Sequence, residues 1–140
     1  MNDRFKFRVW LPFEKRMITT DNESFFALNQ HGSLLKINDK NEAFFARIGH
    51  TFSKENIMQC TGKKDCTGKL IYEEDIVTLT GTNGMVFTYV VKFKDYAFVL
   101  EYLDGKRARY FHKQYAQPKC LYKEGYRVIG NTYQNPDLLK

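Results

Sequence analysis

The acidic run Glu73, Glu74 and Asp75 comes closest, by residue type, to a catalytic site. In an extended strand Glu73 and Asp75 would share one face, because side chains two residues apart point the same way. Such a carboxylate pair can hold Mg²⁺ in a nuclease, and Lys69 is near enough along the chain to steady a phosphate. A metal-dependent nuclease also needs carboxylates from other elements and a base, and nothing else in the sequence converges here. We favour a structural interpretation, in which Asp75 fixes the turn that starts a strand.

The cysteines Cys60, Cys66 and Cys120 offer a second kind of chemistry. Their odd number, in a chain whose N-terminus has no apolar signal region, argues against disulfides. The spacing of Cys60 and Cys66 is not that of a zinc knuckle, and four zinc ligands require both Cys120 and His112. We favour three unpaired thiols and expect no metal or other cofactor. Because the common nucleophile, phosphate-loop and dinucleotide motifs are also missing, we expect no enzymatic activity.

Basic residues interleaved with aromatic ones provide the third candidate site. The formal net charge is +6, which favours an anionic partner. Small barrels bind nucleic acid through loop cations that neutralise phosphates and strand aromatics that stack on bases. A charged hairpin also protects the edge of a sheet from aggregation, and we favour that interpretation. The candidate contacts for nucleic acid or another partner are Lys63, Lys64, Lys69, Lys106, Arg107, Arg109 and Tyr110.

The elements that must position these residues are predicted to be strands. Short runs alternate in polarity or are dense in branched and aromatic residues, which is typical of an all-β chain. Asp104-Gly105 is the strongest hairpin signal, because this pair suits the turn of a two-residue loop. An antiparallel meander in a small barrel, preceded by an N-terminal β-hairpin, is the expected fold. The predicted strands cover residues 5–10, 17–18, 25–28, 34–37, 70–72, 76–79, 85–93, 96–102, 108–111 and 126–129. Residues 43–48 suit either one turn of helix or a short strand, and we favour the strand; residues 57–60 form an apolar arm before the central turn.

Length and composition suit one globular domain. A chain of 140 residues with 43% hydrophobic and 16% aromatic residues can bury a sizeable core without disulfides or metals. No apolar run reaches the length of a membrane span. We therefore expect a soluble protein of the cytoplasm, with no membrane partner.

Three stretches of the sequence resemble one known family. The run TGKKDCTGKLIYEEDIV (61–77) resembles the signature of the YopX family, which phages and prophages of Gram-positive bacteria encode. RFKFRVWLPFEKRMI (4–18) and YRVIGNTYQNPDLL (126–139) fit the same family, in the same order, and together the three frame the chain. The resemblance implies an SH3-like barrel core that often assembles into oligomers, and it implies no established activity. We expect a single domain, residues 1–140, with an N-terminal hairpin region (1–53) and a barrel core (54–140).

The central stretch departs from the family's pattern at one position. The family usually has Gly where this chain has Glu74. If that position takes a positive φ, a non-glycine residue costs about 1 kcal/mol, and otherwise the turn must differ. The remaining turn residues of this stretch are predicted to be Gly62, Gly68 and Asp75.

The sequence leaves two classes of function open. The first is a phage or prophage accessory protein that assembles with itself or binds a host or phage protein, without catalysis. The second is a barrel that binds nucleic acid through its basic loops and aromatics. A metal-dependent nuclease at Glu73 and Asp75 is a remote third.

Overall fold

A computed structural model describes residues 6–19, 26–28, 34–37, 43–45, 57–81, 83–103, 108–110 and 125–140. Two compact units divide the chain between Met58 and Gln59. The unit that ends at Met58 is called the N-terminal unit here, and Gln59–Lys140 the C-terminal unit. Almost all of the regular secondary structure in the described residues is antiparallel strand, so the predicted all-β fold is confirmed. The described residues include no helix with the length and apolar character needed to cross a membrane.

The N-terminal unit begins with the predicted hairpin. Strand β1 (Phe7–Leu11) pairs antiparallel with β2 (Arg16–Thr19), so that Val9 lies opposite Ile18. Val9, Leu11 and Ile18 are buried together, as the alternation along β1 predicts. A second sheet follows, in the order β3–β4–β5, with both pairs antiparallel. Its strands are β3 (Phe26–Leu28), β4 (Leu34–Ile37) and β5 (Ala43–Phe45).

The C-terminal unit contains a curled five-stranded antiparallel sheet with the order β11–β10–β9–β8–β12. Its first four strands in sequence form the expected meander, and the last strand returns to pair with β8. The resulting half-barrel agrees with the barrel-like fold that we expected. The unit's strands are β6 (Ile57–Lys64), which begins in the N-terminal unit, β7 (Leu70–Tyr72), β8 (Asp75–Thr80), β9 (Val86–Lys94), β10 (Ala97–Tyr102), β11 (Ala108–Tyr110) and β12 (Tyr126–Asn131).

One face of this sheet carries the main core. Residues paired across antiparallel strands share a face, and the registers place buried side chains from neighbouring strands opposite one another. These buried side chains form the apolar interior of the barrel-like sheet. The core residues are Ile71, Val77, Leu79, Tyr89, Val91, Leu100 and Tyr126, with Phe98, Tyr102 and Val128 packed against them.

Three local predictions need correction. Gly62 lies inside β6 with a φ of 74°, where the register with β7 shifts, so it serves a bulge and not the turn. The predicted strands 85–93 and 96–102 leave residues 94 and 95 as the turn between them. In the structure Lys94 ends β9, and the turn is formed by Asp95 and Tyr96. From the sequence we also expect a short cap over the barrel end near the C-terminus, with Leu138 and Leu139 docking into apolar surface or onto a neighbour. The segment Pro136–Leu139 is a 3-10 helix with no buried residue, so the first of these two dockings is not observed.

Candidate binding surface

Asp65 is buried in the turn between β6 and β7, and its carboxylate accepts hydrogen bonds from four donors. Oδ1 accepts hydrogen bonds from Thr67 N at 2.8 Å, Thr67 Oγ1 at 2.7 Å and Lys69 N at 2.9 Å. Oδ2 accepts the backbone N–H of Val128 in β12, at 3.0 Å. An aspartate that bonds the backbone two residues onward forms an Asx turn. Asp65 therefore fixes its own turn and ties that turn to a distant strand.

The Asp65 turn covers one edge of the five-stranded sheet. Strand β12 is the edge strand, and such a strand presents unpaired backbone groups. Here Cys66 N donates to Tyr126 O at 2.8 Å, while Val128 N donates to Asp65. The turn thus supplies hydrogen bonds that a further strand would otherwise make. Its role in the described structure is to close this edge.

Sequence reasoning missed Asp65, although a local signal was present. The run Asp65-Cys66-Thr67-Gly68 has an aspartate two residues before a backbone donor and a glycine at a φ of 88°. That pattern is typical of an Asx turn. The glycines drew attention to the turn, whereas the aspartate that holds it together was not singled out.

Two carboxyl groups in this part of the chain, the buried Asp65 and the partly buried Glu73, have pKa values that are shifted in opposite directions. Burial raises the pKa of Asp65, but the hydrogen bonds from Thr67, Val128 and Lys69 outweigh it and hold the pKa below its usual value of 3.8. Burial, together with the charge of Glu74, raises the pKa of Glu73 above its usual 4.5. The folded state therefore resists protonation of Asp65 and favours protonation of Glu73.

These pKa shifts predict the stability of the protein in acid. Asp65 stabilises the fold fully above its unfolded pKa, and this contribution is lost as pH falls from about 4 through the lower, folded value. Glu73 works the other way, because stability rises as pH falls through its raised folded pKa toward 4.5. We expect urea midpoints to show a shallow rise and then a fall on acidification. Glu73→Gln should remove the rise and Asp65→Asn should flatten the fall; curves unchanged by both variants would contradict the assignment.

The acidic run does not form the carboxylate pair considered for a nuclease. Glu73 and Glu74 occupy the turn between β7 and β8, so the extended geometry that would align Glu73 with Asp75 is absent. Asp75 is buried at the start of β8, and its Oδ2 accepts the Tyr72 N–H at 2.8 Å. This is the turn-fixing contact expected of Asp75. Within the described ranges, no three His, Cys, Asp or Glu side chains are grouped so as to hold a metal ion.

The predicted basic contacts are divided between two edges of the sheet. Lys63, Lys64 and Lys69 flank the Asp65 turn beside β12, and the last two are exposed. Arg109 lies in β11 at the opposite edge. Lys106 and Arg107 lie outside the described residues, as do Cys120, His112 and the Asp104-Gly105 turn, and Tyr110 is described only as part of β11. Among the predicted contacts, the three lysines and Arg109 are therefore separated by the sheet's three inner strands.

Arg109 is engaged with aromatic residues of the core. Its Nη1 donates to the hydroxyl of the buried Tyr89 at 3.4 Å, and its guanidinium carbon is 5.9 Å from the Tyr89 ring centroid. Tyr89 in turn packs edge-to-face with Tyr102, with centroids 4.8 Å apart. Burial and the Tyr102 hydrogen bond raise the pKa of Tyr89. Arg109 is thus partly committed to holding this cluster together.

Exposed apolar side chains occur at turns, near both ends of β9, in β12 and at the C-terminus. Tyr96, in the turn between β9 and β10, is 99% exposed, and Phe93, near the end of β9, is 51% exposed. The other end of β9 also carries exposed apolar residues. Single exposed apolar residues are ordinary, but groups of them mark interaction sites. The exposed large apolar residues in the described part of the chain are Phe13, Met85, Val86, Phe87, Phe93, Tyr96, Leu103, Ile129, Leu138 and Leu139.

The family model described as YopX protein matches residues 6–140. The chain belongs to the YopX family. Two solved structures with the same fold agree with this assignment. Protein yopX from Bacillus subtilis is 23% identical with a TM-score of 0.63, and the match covers 100% of both chains. Protein EF1440 from Enterococcus faecalis is 26% identical with a TM-score of 0.57, covering 96% of this chain and 97% of that one. No curated protein matches the sequence.

The departure from the YopX pattern at Glu74 has a structural explanation. Glu74 has a φ of 66°, in the region that favours glycine, so the turn keeps the conformation that suits the family's usual residue. The side chain compensates: Glu74 Oε1 accepts from Lys92 Nζ at 2.6 Å, and Oε2 accepts from Thr132 Oγ1 at 2.7 Å. The backbone also bonds, from Glu74 N to Val91 O at 2.8 Å and from Thr132 N to Glu74 O at 3.0 Å. Glu74 therefore links three elements of this YopX fold.

Replacing Glu74 should separate backbone strain from side-chain bonding. Glu74→Ala loses the contacts with Lys92 and Thr132 and keeps the unfavourable φ, at an expected cost of about 1 to 2 kcal/mol. Glu74→Gly loses the same contacts but relieves the φ, so it should be about 1 kcal/mol more stable than Glu74→Ala. Urea unfolding of the two variants measures this difference directly. A glycine variant no more stable than the alanine variant would refute the strained turn.

Proposed function

We propose that this chain is a non-enzymatic β-barrel module that assembles with itself or binds a host or phage protein. Its setting, as the family resemblance implies, is that of a phage or prophage accessory protein in the bacterial cytoplasm. The observation that carries the proposal is Tyr96, which is almost completely exposed at a hairpin turn and follows closely in sequence after the exposed Phe93. Exposed aromatic residues are over-represented where proteins bind one another, because they contribute a large apolar area at little cost in side-chain entropy.

The described charges support a protein partner at this hairpin. Lys92 bonds Glu74, and Lys94 forms an ion pair with Glu101. The cations that flank Phe93 are therefore balanced by carboxylates, which weakens the attraction for a polyanion. An apolar surface on another protein suits the hairpin better.

Nucleic acid binding is the second candidate, and a different part of the chain supports it. Lys63, Lys64 and Lys69 crowd the Asp65 turn, and the whole chain has a net charge of +6. If these lysines contact phosphates, the logarithm of the affinity should fall steeply with the logarithm of the salt concentration.

One sample can distinguish the two candidates. Size-exclusion chromatography with light scattering gives the mass of the assembly, and fluorescence anisotropy with labelled single- and double-stranded DNA and RNA gives nucleic-acid affinity across a salt series. We expect a defined oligomer, or a specific protein complex, with no salt-sensitive nucleic-acid binding. Salt-sensitive binding that Lys64→Gln and Lys69→Gln weaken would establish the second candidate instead. Divalent-ion-dependent cleavage lost in Glu73→Gln would contradict the non-enzymatic assignment.

A further inference from the structure

The turn between β8 and β9 contains the only Asn-Gly pair in the sequence, Asn83 and Gly84. Both residues are exposed. The backbone nitrogen that follows an asparagine can attack the side-chain amide carbon, and a glycine at that position has no side chain to crowd the attack. A Cβ placed on Gly84 would meet no atom within 4 Å, so its surroundings are open. The pair is therefore accessible to water and free to change shape.

The Asn83 side chain is held against the backbone that follows it. Its Oδ1 accepts a hydrogen bond from Met85 N at 3.1 Å, which is the contact of an Asx turn. Negative charge develops on this oxygen when a nucleophile adds to the amide carbon Cγ. A donor aimed at the oxygen stabilises that charge, as in an oxyanion hole. The hydrogen bond from Met85 thus favours attack at Cγ.

One hydrogen bond opposes the attack. Gly84 N donates to Gly81 O at 2.9 Å, and the nitrogen must leave this bond and lose its proton before it can react. Hydrogen bonds of an exposed turn open locally, at far lower cost than global unfolding. The turn therefore delays the reaction of Gly84 N without preventing it.

We propose that Asn83 is a site of spontaneous modification, which converts it to aspartate and isoaspartate. Solvent base removes the proton of Gly84 N, and the nitrogen attacks Asn83 Cγ to form a cyclic succinimide. The bond from Cγ to Nδ2 breaks, and Nδ2 takes up a proton from water and leaves as ammonia. Water then opens the ring. Breaking the new bond from Gly84 N to Cγ gives aspartate, whereas breaking the original peptide bond leaves the chain running through Cγ, which is isoaspartate.

The two products affect the turn differently. Both carry a new carboxylate, which lowers the formal net charge of +6 by one. Aspartate keeps the backbone and an oxygen that can accept the Met85 N–H. Isoaspartate inserts an extra carbon into the backbone before Gly84 and displaces Gly84 N from Gly81 O. Only the isoaspartyl form should therefore loosen this end of the β8–β9 hairpin.

Two further asparagines in the described part of the chain serve as internal controls. Asn131 is 5% exposed, and its Nδ2 donates to Gln134 Oε1 at 2.7 Å, so its side chain is fixed and shielded from water. Asn135 precedes Pro136, whose nitrogen has no proton to lose and cannot attack. Neither should change while Asn83 does.

The first test follows these three asparagines in one sample. The native protein is held in mildly alkaline buffer and digested at intervals in acid, where the reaction stops. Mass spectrometry and isoaspartate-specific methylation of the peptides measure the conversion at each site. We expect Asn83 to convert faster as pH rises, at a rate within about tenfold of that in the urea-unfolded chain, because only a local opening is needed. Conversion of Asn83 no faster than that of Asn131 in the folded protein would overturn the proposal.

Variants test the route and its consequence. Gly84→Ala should slow conversion by about tenfold or more, because its methyl group crowds ring closure. Asn83→Gln, which needs a larger ring, should also be slow and leaves Gly84 in place. Conversion at the wild-type rate in both variants would overturn the succinimide route. Asn83→Asp should keep the urea midpoint of the wild type, whereas the purified isoaspartyl form should have a lower one; equal midpoints would refute the effect on the hairpin.

Discussion

Asp65→Ala should destabilise the fold by about 2 to 4 kcal/mol, because it removes the acceptor of four hydrogen bonds at a buried position. The Thr67 and Lys69 donors lie in residues exposed to water, which can replace part of what they lose. The Val128 N–H is in a half-buried strand and has less access to water, so it contributes most of the expected cost. Equilibrium unfolding in urea measures the change.

Asp65→Asn separates the two functions of the carboxylate. The amide oxygen can still accept the Thr67 and Lys69 bonds, but its NH₂ group faces the Val128 N–H, and two donors cannot bond each other. We expect about half the cost of the alanine variant, with faster hydrogen exchange at Val128 showing that the edge of β12 has opened. Asp137→Asn is the matched control: Asp137 is exposed in the C-terminal 3-10 helix and should change stability by less than about 0.5 kcal/mol. An Asp65→Ala variant as stable as that control would refute the role of Asp65.

The strands were predictable because their signals are local. Along β9, branched and aromatic residues follow one another, and a two-residue turn then returns the chain as β10. Local patterns of this kind specify a strand wherever it is placed in the fold. The same holds for the β1–β2 hairpin, where the apolar pair Met17 and Ile18 returns antiparallel to β1.

The functions of individual turn residues were less predictable, because they depend on distant contacts. Asp65 and Val128 are 63 positions apart, and nothing near Asp65 indicates that its second oxygen bonds β12. Gly62 was assigned to the turn since a positive φ serves a turn and a bulge equally well, and only the pairing with β7 distinguishes them. Tyr96 was predicted to begin a strand, whereas it lies in the turn before β10 and is exposed there.

Gly130→Ala should also have a large effect, for a steric reason. A Cβ on residue 130 would lie 2.5 Å from Oδ1 and 2.8 Å from Cγ of Asn135, closer than real atoms approach. The register between β12 and β8 shifts just before this residue, and Asn135 Oδ1 accepts the Asn131 N–H at 3.2 Å. The added methyl group must displace the Asn135 side chain and break that bond. We expect a loss of about 1 to 3 kcal/mol, measured by urea unfolding.

A double-mutant cycle with Asn135 tests this steric explanation. Asn135→Ala alone removes the hydrogen bond to Asn131 N, at a cost of about 1 kcal/mol, and also removes every atom beyond Cβ that the new methyl group would meet. In that background Gly130→Ala should cost much less, with a coupling energy of about 1 kcal/mol or more. The residual contact, 3.1 Å from the Asn135 Cβ, can relax by a small shift. Additive effects of the two substitutions would refute the explanation that Asn135 occupies the space which a side chain at residue 130 needs.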